Sequence, residues 1–191
     1  MKTVMYPLVT ALGLSISAMA APAAAMQEYP PAPSCEGEDG FHDFDFWLGT
    51  WDATVETPDG EVIVAGRNVI TKDMGSCLVM ENWINLADHP GTSMNFYNPV
   101  TDEWRQVWVS GGSIIDYTGG LNEEGSMVLV GTAYSTLGTP NSSGFRGLWT
   151  PNEDGTVRQM FEQVHPETGE WTVIWDSIYV RVEEDAEADM K

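Results

Sequence analysis

The sequence predicts an all-β chain: an antiparallel up-and-down β-barrel of about ten strands, closed at one end by a short N-terminal capping helix. Three observations carry that expectation. Apolar and polar residues alternate through ten strand-length segments between Thr50 and Val182. Short runs of turn-forming residues separate these segments, so successive strands should be antiparallel neighbours. Helical periodicity is confined to Phe41 to Leu48. A sheet of this many strands without a second layer of helices must close on itself or split into two sheets. Closure is preferred because large aromatics fall on one parity of several strands, and a barrel of this strand number has room for them and for a small ligand. A β-sandwich is the alternative, since it too would bury a tryptophan against a disulfide, but it uses fewer strands with longer crossing connections.

Residues 1–20 carry one lysine at position 2, an apolar run from Val4 to Ile16, and Ser17-Ala18-Met19-Ala20 before Ala21-Pro22. This pattern predicts a secretory signal peptide cleaved after Ala20 or after Ala25. The apolar run is short for a membrane span. Cys35 lacks the Leu-small-small-Cys setting of bacterial lipoproteins, because Pro33-Ser34 precede it. The expectation is therefore a soluble protein, periplasmic or secreted. Residues 21–39, rich in proline and alanine, read as a linker. Residues 40–182 form one domain of ordinary size. Residues 183–191 form an acidic tail with nothing to bury, for which disorder is expected.

Within the domain, Phe41, Phe44 and Leu48 could share one face of the capping helix. The expected strands are Thr50 to Thr57, Glu61 to Lys72, Cys77 to Leu86, Thr92 to Tyr97, Glu103 to Ser110, Ser113 to Gly119, Ser126 to Thr136, Gly144 to Thr150, Thr156 to Val164 and Glu170 to Val182. Between them lie turn sequences such as Pro58-Asp59-Gly60, Asn122-Glu123-Glu124-Gly125 and Pro166-Glu167-Thr168-Gly169. The two cysteines of an exported chain are most simply one disulfide, Cys35 to Cys77, stapling the N-terminal arm to the barrel wall. A loop of that size contributes on the order of 3 to 4 kcal/mol if unstrained.

The formal charge is −21. Without residues 1–20, Lys+Arg falls from 8 to 7 while Asp+Glu stays at 29, giving −22. Such a surface repels nucleic acid and anionic membranes, and with only Lys72 and Lys191 left as lysines no basic patch for either can be assembled. The charge reads as a heavily solvated surface, with selection of cationic ligands as the sharper alternative.

Strand alternation then selects the candidate site. Trp104, Gln106 and Trp108 share one face. In the third strand the inward stripe is either Val79, Glu81 and Trp83 or Met80, Asn82 and Ile84. In the last, the odd positions put Trp171, Val173, Trp175, Ser177, Tyr179 and Arg181 on one side. An interior of tryptophans broken by Glu81, Gln106 and Tyr179 suits a small apolar or amphipathic ligand, although tryptophans at period two also serve as plain barrel core. A buried Glu81 would need a partner or a raised pKa. Arg158 and Glu162, four apart on one face, read as solvent-facing.

Phe41-His42-Asp43-Phe44-Asp45-Phe46-Trp47-Leu48-Gly49-Thr50-Trp51, with Arg181 late in the last strand, resembles the calycin superfamily of lipocalins and fatty-acid-binding proteins. That resemblance implies that Gly49, Trp51 and Arg181 are structural, the arginine stacking on the tryptophan to close the barrel floor away from ligand. A closer resemblance, over Phe41 to Arg181, is to exported bacterial proteins of unknown function that begin Phe-Asp-Phe-Trp-Leu-Gly-x-Trp. It rests also on Glu81-Asn82-Trp83, Phe96-Tyr97-Asn98-Pro99 and Trp104-Arg105-Gln106-Val107-Trp108-Val109, and it implies architecture without an activity. The Thr-Asp-Tyr string of lipocalins proper is absent, Ile115 preceding Asp116-Tyr117.

No metal or cofactor is expected. His42, His89 and His165 are far apart in sequence, none at metal-ligand spacing from another. There is no Gly-x-Ser-x-Gly, and both cysteines are assigned to the disulfide. Three readings remain: a barrel that binds a small molecule, an isomerase or hydrolase with Glu81 as general base, and a cavity-free interaction module of the envelope.

Overall fold

The computed structural model describes residues 30–182. The expected signal peptide, residues 21–29 of the expected linker and the acidic tail lie outside the described residues. Ten antiparallel strands form one closed barrel: β1 (Gly49–Glu56), β2 (Val62–Asp73), β3 (Leu78–Asn85), β4 (Pro90–Asn98), β5 (Glu103–Ser110), β6 (Ser113–Leu121), β7 (Met127–Ser135), β8 (Asn141–Pro151), β9 (Val157–Val164) and β10 (Trp171–Arg181). Each strand pairs with its sequence neighbours and β1 closes on β10 through Trp51↔Arg181 and Ala53↔Tyr179. Closure removes both sheet edges, and the sandwich alternative falls with it.

The capping element differs from the expected helix. It is two short 3-10 turns, Asp39–His42 and Asp45–Trp47, and the buried pair is Phe44 and Trp47 instead of a Phe41, Phe44 and Leu48 face. Four aromatic residues within seven positions suit two single turns, because the plug must aim rings in several directions at once. Phe44 stacks on Trp47 at 4.9 Å between ring centroids and meets Trp104 and Trp149 edge-on at 5.7 and 5.3 Å.

Gly49 joins the plug to the barrel with φ of +128°, a backbone conformation that L side chains rarely adopt. A Cβ there would come within 2.2 Å of Arg181 Nη1. The glycine thus lets Arg181 lie over the Trp51 ring, 4.1 Å from its centroid, while donating to the Leu48 carbonyl at 3.0 Å. Trp51 Nε1 donates to the Trp47 carbonyl at 2.9 Å. These contacts close the floor as the resemblance implied.

Cys35 and Cys77 form a disulfide, and the Cys35 amide donates to the Gly75 carbonyl at 2.7 Å. The arm is thereby held to the loop between β2 and β3. A formed disulfide belongs to an oxidising, non-cytoplasmic compartment. Among the described residues no helix is long and apolar enough to cross a membrane, which says nothing of strands.

On the outer wall, bidentate pairs link Arg105 to Asp116 and Arg158 to Asp176, while Arg146 pairs with Glu162. Arg158 and Glu162 therefore both lie on the outer wall, Arg158 exposed as expected and Glu162 largely covered by its pairing with Arg146 instead of facing solvent. The Arg105 guanidinium holds the Asp116 carboxyl below its ordinary range, and Arg158 does the same for Asp176.

Candidate functional site

Side chains entering the barrel lie in three layers, counted from the plug. The lowest is apolar: Ile70, Val79, Trp104, Trp149 and Val157 pack against Phe44, Trp47 and Trp51. Above it lies a polar belt, and above the belt a ring of aromatics that is only partly buried. The register explains the layering. Gln106 sits opposite Asn95 on β4 and Tyr117 on β6, Glu81 opposite Ser93, and Ser177 opposite Gln159. Seven of the ten strands, β2 to β6, β9 and β10, deliver polar side chains to the belt, and β4 delivers both Ser93 and Asn95.

A register irregularity on β10 shapes the ring. The odd stripe of β10 holds for Trp175, Ser177 and Tyr179, but a bulge between Val173 and Trp175 reverses the parity below it. Trp171 and Val173 consequently lie outside, where Arg146 sits 4.9 Å above the Trp171 ring. The expectation that they face inward is corrected; no turn residue flags that bulge, since the extra residue is an isoleucine. On β3 the ambiguity resolves to Val79, Glu81 and Trp83 inward.

Glu81, Trp83, Gln106, Trp108, Trp175 and Tyr179 together line one cavity of about 160 Å³. Trp104 does not. It lies one layer lower, buried in the floor, its Nε1 donating to the Gly40 carbonyl at 3.2 Å. Two residues along β5 carry a side chain to the next height, so sharing a face with Gln106 is not sharing a cavity. The cavity is completed by Ile115, Tyr117, Gln159 and Phe161, which sequence reasoning did not name. Their signal was faint but present: each continues the inward parity of its strand.

Glycines make room for the indoles. A Cβ on Gly66 would meet Trp83 at 2.5 Å, and one on Gly91 would meet Trp108 at 2.2 Å. Both rings therefore lie against the wall of a neighbouring strand. Trp83 and Trp175 meet edge-on at 6.1 Å.

The belt is a directed hydrogen-bond chain. Tyr117 Oη donates to Gln106 Oε1, Gln106 Nε2 to Asn95 Oδ1, and Asn95 Nδ2 to Ser93 Oγ at 2.9 Å. Ser93 Oγ then donates to Glu81 Oε2 at 2.5 Å. From the other side Asn68 Nδ2 donates to Glu81 Oε1 at 2.7 Å and to Tyr179 Oη at 3.3 Å. Tyr179 Oη and Trp175 Nε1 both donate to Gln159 Oε1, at 3.0 and 3.1 Å. Glu81 ends the chain that starts at Tyr117, while the branch from Asn68 through Tyr179 ends on Gln159 Oε1.

Burial pushes the Glu81 carboxyl up from 4.5 to about 7, and the hydrogen bonds from Ser93 and Asn68 oppose that shift. Burial likewise holds the phenols of Tyr117 and Tyr179 far above their ordinary value, so both are neutral. Glu81 is the only charged side chain lining the cavity among the described residues. Lys72 stands at the floor, its Nζ 2.5 Å from Asp45 Oδ1 and 3.0 Å from His42 Nδ1. No group of three or more His, Cys, Asp or Glu is placed to hold a metal ion among the described residues. Such a site can receive an apolar ring and offer it one carboxyl group poised between its two protonation states.

Comparison of the chain with protein-family models and with curated proteins finds no match.

Proposed function

We propose that the protein is a carrier or sensor of a small apolar or amphipathic molecule, bound in the barrel cavity and acting in the periplasm or after secretion. The observation that carries this reading is the cavity of about 160 Å³, walled by Trp83, Trp108, Trp175 and Phe161 and floored by Glu81, Gln106 and Gln159. An apolar wall with few polar groups at one end is the general form of a small-ligand pocket. The resemblance of Phe41 to Trp51 to exported calycin-like proteins supports the same compartment, as do the apolar segment at Val4 to Ile16 and the disulfide. The cavity also weighs against an interaction module with a filled interior.

Three tryptophans line the cavity, so occupancy should be read directly by fluorescence. Titration with a panel of single-ring compounds should quench and shift tryptophan emission with saturable, one-site curves. A panel that leaves the emission unchanged, together with native mass spectra of gently purified protein that contain only the bare chain, would sink the reading.

A second reading is favoured by one observation. A carboxyl group with its pKa near 7, in a pocket beside the Tyr179 phenol through Asn68, is tuned as a general base. Turnover of an isomerase or ester substrate that disappears in Glu81→Gln would support catalysis over carriage.

A further inference from the structure

The cavity contains more information than its size. Glu81 Oε1 and Oε2 each accept one hydrogen bond, which uses about half of the roughly four lone-pair sites of a carboxylate. The titratable groups facing it are the neutral phenols of Tyr117 on β6 and Tyr179 on β10. Asn68 on β2, Ser93 on β4, Gln106 on β5 and Gln159 on β9 are uncharged. An isolated buried carboxylate in such a place costs several kcal/mol unless something pairs with it. Yet the two side chains that bond its carboxyl, Ser93 and Asn68, both donate to it, as suits an ionised carboxylate, which accepts only. Asn68 Oδ1, on the amide that serves Glu81, is buried without a hydrogen-bond partner among the described residues. The belt around Glu81 and Asn68 is therefore short of positive charge and of donors, while the other two unpartnered buried atoms, Trp47 Nε1 and Trp149 Nε1, are donors that lie in the floor layer.

The mouth matches this deficit. The loops at the end opposite the plug follow β1, β3, β5, β7 and β9. With the strand residues that flank them they carry Glu56, Asp59, Glu61, Asp88, Glu167 and Glu170, two histidines, His89 and His165, and neither a lysine nor an arginine. A low-dielectric opening ringed by one sign of charge concentrates small ions of the opposite sign and excludes anions. Inside, the faces of Trp83, Trp108 and Trp175 offer a favourable surface to a cation and to an aromatic ring alike.

We propose that the cavity selects a small arylalkylamine: a single ring held among Trp83, Trp108 and Trp175, with its ammonium group hydrogen-bonded to the free lone pairs of Glu81. The inference rests on the cavity being a ligand site. Size limits the body to one ring and a short chain, since an apolar cavity of about 150 Å³ takes up benzene. The ammonium supplies both of the quantities that the interior lacks. A neutral alcohol supplies a donor without the charge, and a carboxylate brings the wrong charge. At pH values where free Glu81 is protonated, binding must expel that proton to the buffer.

The test is isothermal titration of the disulfide-bonded protein with phenethylamine, 2-phenylethanol and 3-phenylpropionate between pH 5.5 and 8, in buffers of different ionisation enthalpy. Phenethylamine should bind at pH 8 at least about tenfold more tightly than the alcohol. Below pH 7 its affinity should fall by about tenfold per unit, as the ionised fraction of Glu81 falls. Close to one proton should be released per amine bound at pH 6, and none with the alcohol. Glu81→Gln should abolish the preference for the amine over the alcohol and the pH dependence of amine binding. The wild-type proton release stands as a test whether or not that variant folds. Equal, pH-independent binding of amine and alcohol, or tightest binding of the carboxylate, would overturn the amine inference and leave the cavity reading intact. Absence of heat and of tryptophan quenching with all three compounds would overturn both.

Discussion

Replacing Glu81 by glutamine should stabilise the protein at alkaline pH. The folded carboxyl titrates at about 7 against 4.5 for the unshifted group. The native state therefore binds more protons than the unfolded state between those two values, so the contribution of Glu81 to stability declines as pH rises through this window and is at its lowest above it. One unit is about 1.36 kcal/mol, so the full penalty is about 3 kcal/mol, most of which, about 2 to 3 kcal/mol, develops between pH 5 and pH 8. Glutamine has the same shape and keeps an acceptor for Asn68, and it carries no charge to desolvate. Urea unfolding of both proteins at the two pH values, with the disulfide intact, gives a double difference in which every other titrating group cancels. Glu81→Gln should gain about 2 to 3 kcal/mol on the wild type between pH 5 and pH 8, which for a domain of this size is roughly 5 to 10 °C in Tm. A double difference near zero, or one in which the wild type gains with rising pH, would refute the claim that Glu81 is buried without a compensating charge.

Other substitutions test the frame around the cavity. Replacing Cys35 and Cys77 by serine opens a loop whose ends are 42 residues apart, and should cost about 4 kcal/mol, read as a lower urea midpoint with an unchanged far-ultraviolet spectrum. Gly49→Ala must strain a backbone at φ of +128° and displace Arg181 from Trp51; a loss of at least about 2 kcal/mol is expected, and a neutral effect would show the floor to be adaptable. Ile115→Trp should fill the cavity from β6, abolishing fluorescence-detected ligand binding while changing stability by no more than about 1 to 3 kcal/mol.

The fold was legible because its signals are local and repeated. Alternation with short turns between segments fixes antiparallel neighbours, and β1 to β10 follow the expected segments with ends shifted by a few residues, as at Pro90 and Asn141. The plug was legible as an aromatic cap but not as two turns, since one turn of 3-10 helix and one of α-helix place Phe41 and Phe44 similarly. Parity placed Gln106, Trp108 and Tyr179 inward and left Glu81 on one of two alternative stripes, without giving any height along the barrel axis. Height depends on the stagger between strands, which is why Trp104 and Trp108, on one face of β5, fall in the floor and in the cavity wall respectively. The partners of Glu81 were hidden for the same reason: Asn68 and Ser93 are ordinary residues in the chain, and only the β2–β3 and β3–β4 registers bring them to its carboxyl oxygens.

The cost of Glu81 also says what the carboxyl is for. Its ionised form lowers stability above pH 7, and a leucine or methionine of similar volume would pack the belt without that penalty. The surrounding side chains nonetheless spend two donors on it directly and align three more behind Ser93, an arrangement that has no use for an apolar residue. On the proposed reading, stability is given up for a group that an incoming donor or cation would compensate. A ligand that compensates it gains the same free energy that the empty protein loses, so occupancy should raise Tm most at the pH where the empty barrel is weakest. Thermal scans with and without phenethylamine at pH 5.5 and pH 8 should therefore show the larger shift at pH 8. A shift that is equal at both values would mean that the compound binds without engaging Glu81.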